Sequence, residues 1–252
     1  MGIFLSGGNT GFFLGPIVAG ALLSGFGLPG TLVLLPIGLL TAALLLKVGK
    51  LGGRDGEPSN ETTHHRPDTR LVTLLATITA LRSITIQTAV TFLPLYFVVR
   101  GDSLFLATAI TSVWLGVGVM GQLGGGFISD RIGRRPVIVT SLIVGALLFY
   151  GFLMTIGTIS LMLLALSGAA LYASWSVIVV MSSEAAPSDV GAVSGFMLGS
   201  SIGIGGLAAL GFGAVADLLG MHSAFLAFAG FALAGGALAL FLPRRALGMV
   251  RN

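Results

Sequence analysis

The chain has 252 residues, 55% of them hydrophobic and only 9% charged, with a mean hydropathy of +1.02. That charge content is far below the quarter usual in soluble domains and excludes one, so the chain reads as an integral membrane protein. Cysteine is absent, which excludes a disulfide framework, a thiolate metal site and a cysteine nucleophile. The net charge of +4 is not a nucleic-acid footprint, because the basic residues sit between apolar runs.

In chain order, eight runs approach the roughly 20 apolar residues a span requires. They cover about 4–26, 31–48, 71–99, 104–128, 136–156, 159–181, 190–216 and 221–243. All are expected to be helices, since backbone in lipid must satisfy its own hydrogen bonds and the alternating ten-residue segments of a barrel are missing. The predicted fold class is all-α, a polytopic bundle of eight transmembrane helices. The first run lacks a basic leader and contains Gly15-Pro16, so it reads as a span and not as a cleaved signal peptide.

In that first run, Gly11, Gly15, Pro16, Ala19 and Gly20 line small residues along one helix face and add a proline kink. Gly191, Gly195, Gly199 and Gly203 form a matching four-residue ladder in the seventh run. Both are read as close-packing faces, and a bendable gating helix is compatible with that reading. Residues 49–70 are polar, mixed in charge and broken by proline, and predict a flexible linker. His64 and His65 lie there without further metal ligands nearby, so no metal site is expected.

Arg82 stands inside the third run with no acidic residue within four positions. An ionised side chain at such a place costs about 2.5–3.5 kcal/mol and usually faces a water-filled path. Two readings stay open: a substrate contact, with the guanidinium suited to a phosphonate or carboxylate, or a side chain snorkelling to the interface near Arg70. Gln87 and Thr91 follow on faces about 140° and 180° away, so at most some of the three share a cavity. Gln87 is nevertheless kept beside Arg82 as a candidate substrate-binding residue. Trp114 and Trp175 read as packing or cavity wall.

Residues 121–136 carry the densest charge. Asp130, Arg131, Arg134 and Arg135 sit between two apolar runs, with Gly126 and Gly133 allowing close approach. Three arginines there belong at a membrane surface. The basic residues between the second and third runs, between the fourth and fifth, and after the eighth all fall on one side of the membrane if the runs alternate, whereas the other side receives Arg100. The basic side is expected to be cytoplasmic, with both termini inside and the protein multi-pass in the cell's inner (plasma) membrane.

The string Gly126-x-Ile128-Ser129-Asp130-Arg131-x-Gly133-Arg134-Arg135 resembles the loop signature of the major facilitator superfamily, usually Gly-x-Leu-Ala-Asp-Arg-x-Gly-Arg-Lys/Arg. Gly11-Phe12-Phe13-Leu14-Gly15 also resembles Gly195-Phe196-Met197-Leu198-Gly199 six runs later, the spacing of that superfamily's two six-helix halves. With residues 7–16, Arg82-Ser83, 91–96, 193–196 and 205–207, the chain is similar to the superfamily's fosmidomycin-resistance branch.

The resemblance implies residues 1–48 as the last two spans of an N-terminal half, 49–70 as a cytoplasmic linker and 71–252 as a six-span C-terminal half. Four spans are then expected upstream. It implies a secondary transporter working by alternating access, exporting drugs or small organic anions in exchange for protons. Its partners are the lipid bilayer, a small-molecule substrate and protons, with no cofactor and no nucleic acid. Gly126, Asp130, Arg131, Gly133, Arg134 and Arg135 would gate it, Asp130 facing the start of the first span. The titrating carboxylate would lie in those upstream spans or be Asp217. Alternatives are a truncated, non-transporting membrane protein and an uptake symporter. An enzyme is not expected, because no paired carboxylates, metal cluster or nucleophile–base set is present.

Overall fold

The computed structural model describes residues 2–51 and 68–243. Expectations for His64, His65, Arg54, Arg66, Arg244, Arg245 and Arg251 lie outside the described residues. Eight α-helices follow one another, and no strand occurs among the described residues. They are α1 (Gly2–Phe26), α2 (Leu34–Leu51), α3 (Thr69–Val99), α4 (Leu104–Ile132), α5 (Arg134–Met154), α6 (Gly157–Ala185), α7 (Val190–Leu219) and α8 (Met221–Leu238), with 3-10 turns at Leu28–Val33 and Ala239–Phe241. The last six, α8 taken with its 3-10 turn, are long and apolar enough to cross a membrane. Among the residues whose side chains are described, Leu14–Phe26 and Leu28–Leu44 are further apolar helical stretches. Helix reaches Leu51 and resumes at Thr69, so residues 49–51 and 69–70 at the ends of the expected linker are helical.

Local chemistry sets the boundaries. Asp68 Oδ1 accepts from Leu71 N at 3.1 Å and starts α3; Ser103 Oγ accepts from Leu106 N at 3.2 Å and starts α4. The expected turn at 130–135 proves to be mostly helix. Hydrogen bonding carries α4 four residues past the expected end at 128, and the turn is Gly133, whose φ of 95° favours glycine. Pro136 falls in the first turn of α5, where a missing N–H costs nothing.

Connections are short, so successive helices from α3 onward run antiparallel. Asp68 N donates to Ala185 O at 3.0 Å, which puts the start of α3 beside the end of α6. The Gly133 turn and the end of α8 share that end of the bundle, as contacts described below show. Arg100 precedes α4 and therefore lies at the opposite end, about 43 Å away along 29 residues.

The core is aromatic where α3, α5 and α8 meet. Tyr96 stands edge-on to Phe225 with centroids 5.4 Å apart, and Phe149 and Phe152 close the cluster. α3 and α7 run parallel and in step. Thr79 Oγ1 meets Met197 Sδ at 3.9 Å, Ser83 Oγ lies 2.6 Å from Ser201 Oγ, and the Gln87 stem lies against Gly205. The remainder of α7 is mostly exposed; Met197, Gly205 and Phe212 are its buried residues.

Glycine decides how closely α4 and α6 approach. A methyl group at Gly121 would overlap the backbone of Ala169, and one at Gly125 that of Ala173. In the opposite sense, one at Gly168 would come within 2.6 Å of Trp114 O. Of the glycines expected to pack helices, Gly20 does so, against Thr108 of α4. Gly15, Gly195 and Gly199 have open space where a methyl would go, and the surroundings of Gly11 lie outside the described residues. Pro16 lies inside α1.

Candidate functional site

Arg82 is 4% exposed although it carries a full charge. Its Nε donates to Leu171 O at 3.0 Å and to Ser174 Oγ at 3.1 Å. Leu171 is the midpoint of α6, so the guanidinium crosses to the centre of the bundle and does not extend toward an interface. The Arg82 Cζ lies 5.5 Å from the Tyr172 ring centroid and 5.2 Å from that of Trp175. Ring faces attract a cation, and each such contact contributes about 0.5–2 kcal/mol against the cost of burial.

Among the described residues no carboxylate answers this charge. The described acidic residues, Asp68, Asp102, Asp130, Glu184, Asp189 and Asp217, all stand within a turn of helix ends. The two terminal nitrogens of Arg82 have no hydrogen-bond partner among the described residues. Ser112 Oγ is the single partnerless side-chain atom fully shut away among those residues, so the guanidinium fork is not completely sealed. A fixed, unpaired fork can hold an oxyanion through two parallel N–H bonds.

The structure does not bring the other expected polar residues to that fork. Gln87 packs on α7 and Thr91 is exposed, its Oγ1 donating to Gln87 O at 2.8 Å. Trp175, read from sequence as packing or wall, stands beside the guanidinium with its ring half-buried. Sequence reasoning missed Tyr172 and Ser174. Their signal was a polar and aromatic cluster at 172–175, legible only once α6 is known to face α3.

At the bundle end, the charged corner is a set of clasps. Arg134 engages both carboxylate oxygens of Glu184, joining the start of α5 to the end of α6. Arg135 donates to Leu240 O, at the end of α8, where carbonyls lack helical partners and a cation is favoured. Arg131 stacks on Phe127 with its Cζ 4.4 Å from the ring centroid. Gly126 lies near Ser176, whose Oγ would be 3.6 Å from an added methyl. Asp130 is exposed and makes no hydrogen bond or ion pair among the described residues.

The Arg134–Glu184 clasp is partly exposed, so its net worth is modest. Reversing either charge alone is expected to lower unfolding stability by about 1 kcal/mol, and Arg134→Glu with Glu184→Arg to regain most of it. Thermal unfolding of the four proteins in detergent checks this; additive losses in the double variant would show that the two side chains do not interact.

Comparison with known proteins bears on the whole assembly. The model of the Major Facilitator Superfamily matches residues 1–130 and again 110–251. The fosmidomycin resistance protein of Escherichia coli (strain K12) is 26% identical over 254 aligned residues, covering 96% of this chain and 61% of that protein. The uncharacterized MFS-type transporter YfnC of Bacillus subtilis (strain 168) is 37% identical over 136 residues, 52% of this chain and 32% of that protein. The chain thus spans less than two thirds of the length of either relative. Helical bundle, charged corner and two matches that together run nearly end to end agree: the chain belongs to the Major Facilitator Superfamily.

Proposed function

We propose that the chain serves secondary active transport by alternating access, exporting drugs or small organic anions in exchange for protons. The observation that carries this reading is Arg82, a buried charge without a carboxylate partner among the described residues, its terminal nitrogens unbonded there, at the centre of a superfamily bundle. A charge so placed is costly unless a path uses it. Likeness to a fosmidomycin resistance protein supports export of a drug. Coupling to protons is carried over from the superfamily resemblance. Within this chain Asp217, exposed near the end of α7, is the carboxylate proposed to take part.

On this reading residues 1–48 close an N-terminal half, 49–70 link the halves and 71–252 form the C-terminal half. Both termini face the cytoplasm, on the side of the plasma membrane that carries the arginine corner. The clasps of Arg134 and Arg135 hold one state, and Asp130 is free to bind the positive N-terminal end of α1 in it.

The test is flux. Proteoliposomes holding the full chain and an imposed proton gradient should move fosmidomycin against its own gradient, and collapsing the proton gradient should stop it. Asp130→Asn should lower that flux about tenfold, equivalent to ~1.4 kcal/mol on the barrier, with membrane insertion unchanged. No flux under any gradient would overturn transport by this chain; flux indifferent to Asp130→Asn would remove the gating role alone.

A further inference from the structure

We propose that Arg82, Tyr172 and Trp175 form a binding subsite for free organic anions that join a carboxylate or phosphonate head to a flat apolar body. The inference rests on the transport reading for its purpose, but binding is measurable without flux.

Four observations converge on this subsite. The first is the fixed fork. Arginine has five N–H donors, and the Nε bonds to Leu171 O and Ser174 Oγ engage the one on Nε. The four on the terminal nitrogens remain, in a plane already set by that anchor, which suits a two-oxygen head.

The second is the pair of rings. Tyr172 and Trp175 flank the guanidinium and are both half-buried. Tyr172 is braced by Trp114, edge-on with centroids 5.8 Å apart, and by Gly118, where a methyl would come within 2.7 Å of the ring. Aromatic faces are electron-rich and repel an anion that lacks a cation to hold it. The head must therefore sit on the fork, and the rings are left to pack a flat apolar body.

The third is the missing carboxylate. A resident acid would compete with the ligand and neutralise the fork. Among the described residues nothing compensates the charge, so a bound anion relieves a standing cost.

The fourth is depth. Leu171 lies about 21 Å from either end of α6. A phospholipid head stays at the surface of a hydrocarbon layer about 30 Å thick, so lipid is a poor occupant and a diffusible organic anion a good one.

The experiment uses the full chain in nanodiscs of zwitterionic lipid. The protein has two tryptophans, and Trp114 is buried with its Nε1 donating to Ser167 Oγ at 3.2 Å, so the half-buried Trp175 is the reporter. Fluorescence titrations of the wild type, and of Trp114→Phe where it folds, would use benzoate, phenylphosphonate, benzamide and acetate. Benzoate and phenylphosphonate should quench saturably, with benzamide and acetate at least tenfold weaker. Arg82→Gln should weaken benzoate at least tenfold. Arg82→Lys, which keeps the charge but not the fork, should lose most of that affinity too. Tyr172→Ala should erase the advantage of benzoate over acetate.

Benzamide binding as tightly as benzoate, or unchanged benzoate affinity in both Arg82 variants, would overturn the subsite. Binding as expected without flux in proteoliposomes would leave the subsite standing and remove the transport reading. Flux of organic anions unaffected by Arg82→Gln would do the reverse.

Discussion

Replacing Arg82 by methionine is expected to stabilise the protein while cutting transport of an organic anion at least a hundredfold. The two signs have separate causes. Methionine removes a buried charge whose insertion costs about 2.5–3.5 kcal/mol, more than the roughly 1–2 kcal/mol that two contacts to half-buried rings return, and its flexible stem fills much of the vacated space. Nothing polar is orphaned by the change. Ser174 Oγ also donates to Leu171 O at 3.0 Å, so both acceptors of the Arg82 Nε keep a partner. Loss of two aligned charge-assisted hydrogen bonds to an anion removes roughly 3 kcal/mol or more of binding, which is the hundredfold. Thermal unfolding in detergent and anion counterflow in proteoliposomes check the two halves. A lower unfolding temperature would mean that Arg82 holds the bundle together; undiminished counterflow would mean that the anion passes elsewhere. Stability rising as function falls marks a residue kept for its chemistry.

The eight helices were legible because lipid leaves a long apolar run no other economical backbone arrangement. Their ends were less so. Composition suggests that α4 stops at 128, where polarity begins, whereas backbone hydrogen bonds continue through Asp130 and Arg131 until Gly133 interrupts them. The corner itself was visible as charge in an apolar chain, but which arginine meets which partner depends on helix ends distant in sequence: Glu184 for Arg134 and Leu240 for Arg135. Arg82 stood out for the same reason as the corner. The alternative of snorkelling could not be set aside from spacing, since Arg70 is only twelve positions away. Its aromatic flank was hidden because Tyr172 and Trp175 resemble ordinary packing residues until α6 is placed across from α3. Glycine patterns were the least specific, since periodic glycines mark a face that can be approached without saying what approaches it.

That distinction yields the second large effect. Gly121→Ala is expected to cost about 2–3 kcal/mol, and Gly195→Ala to be neutral or stabilising by up to about 1 kcal/mol, although each adds one methyl to a four-residue glycine pattern. At Gly121 the methyl would strike Ala169 O, C and Cα. Backbone cannot rotate aside as a side chain does, so α4 and α6 must separate, and the loosening spreads to Gly125 on Ala173 and Gly118 on Tyr172. At Gly195 the added methyl would meet nothing within 4 Å outside its own helix among the described residues, and alanine merely restricts the unfolded chain. Unfolding temperatures of the two variants measured side by side decide the matter; equal losses would mean that α7 is covered as tightly as the α4–α6 seam. Transport supplies the finer reading. If Gly195→Ala keeps its stability but loses flux, the α7 glycines meet a neighbour only in the other conformation, which is what a sliding face requires. Gly121→Ala can lose flux only together with stability, because its contact already exists in the structure described.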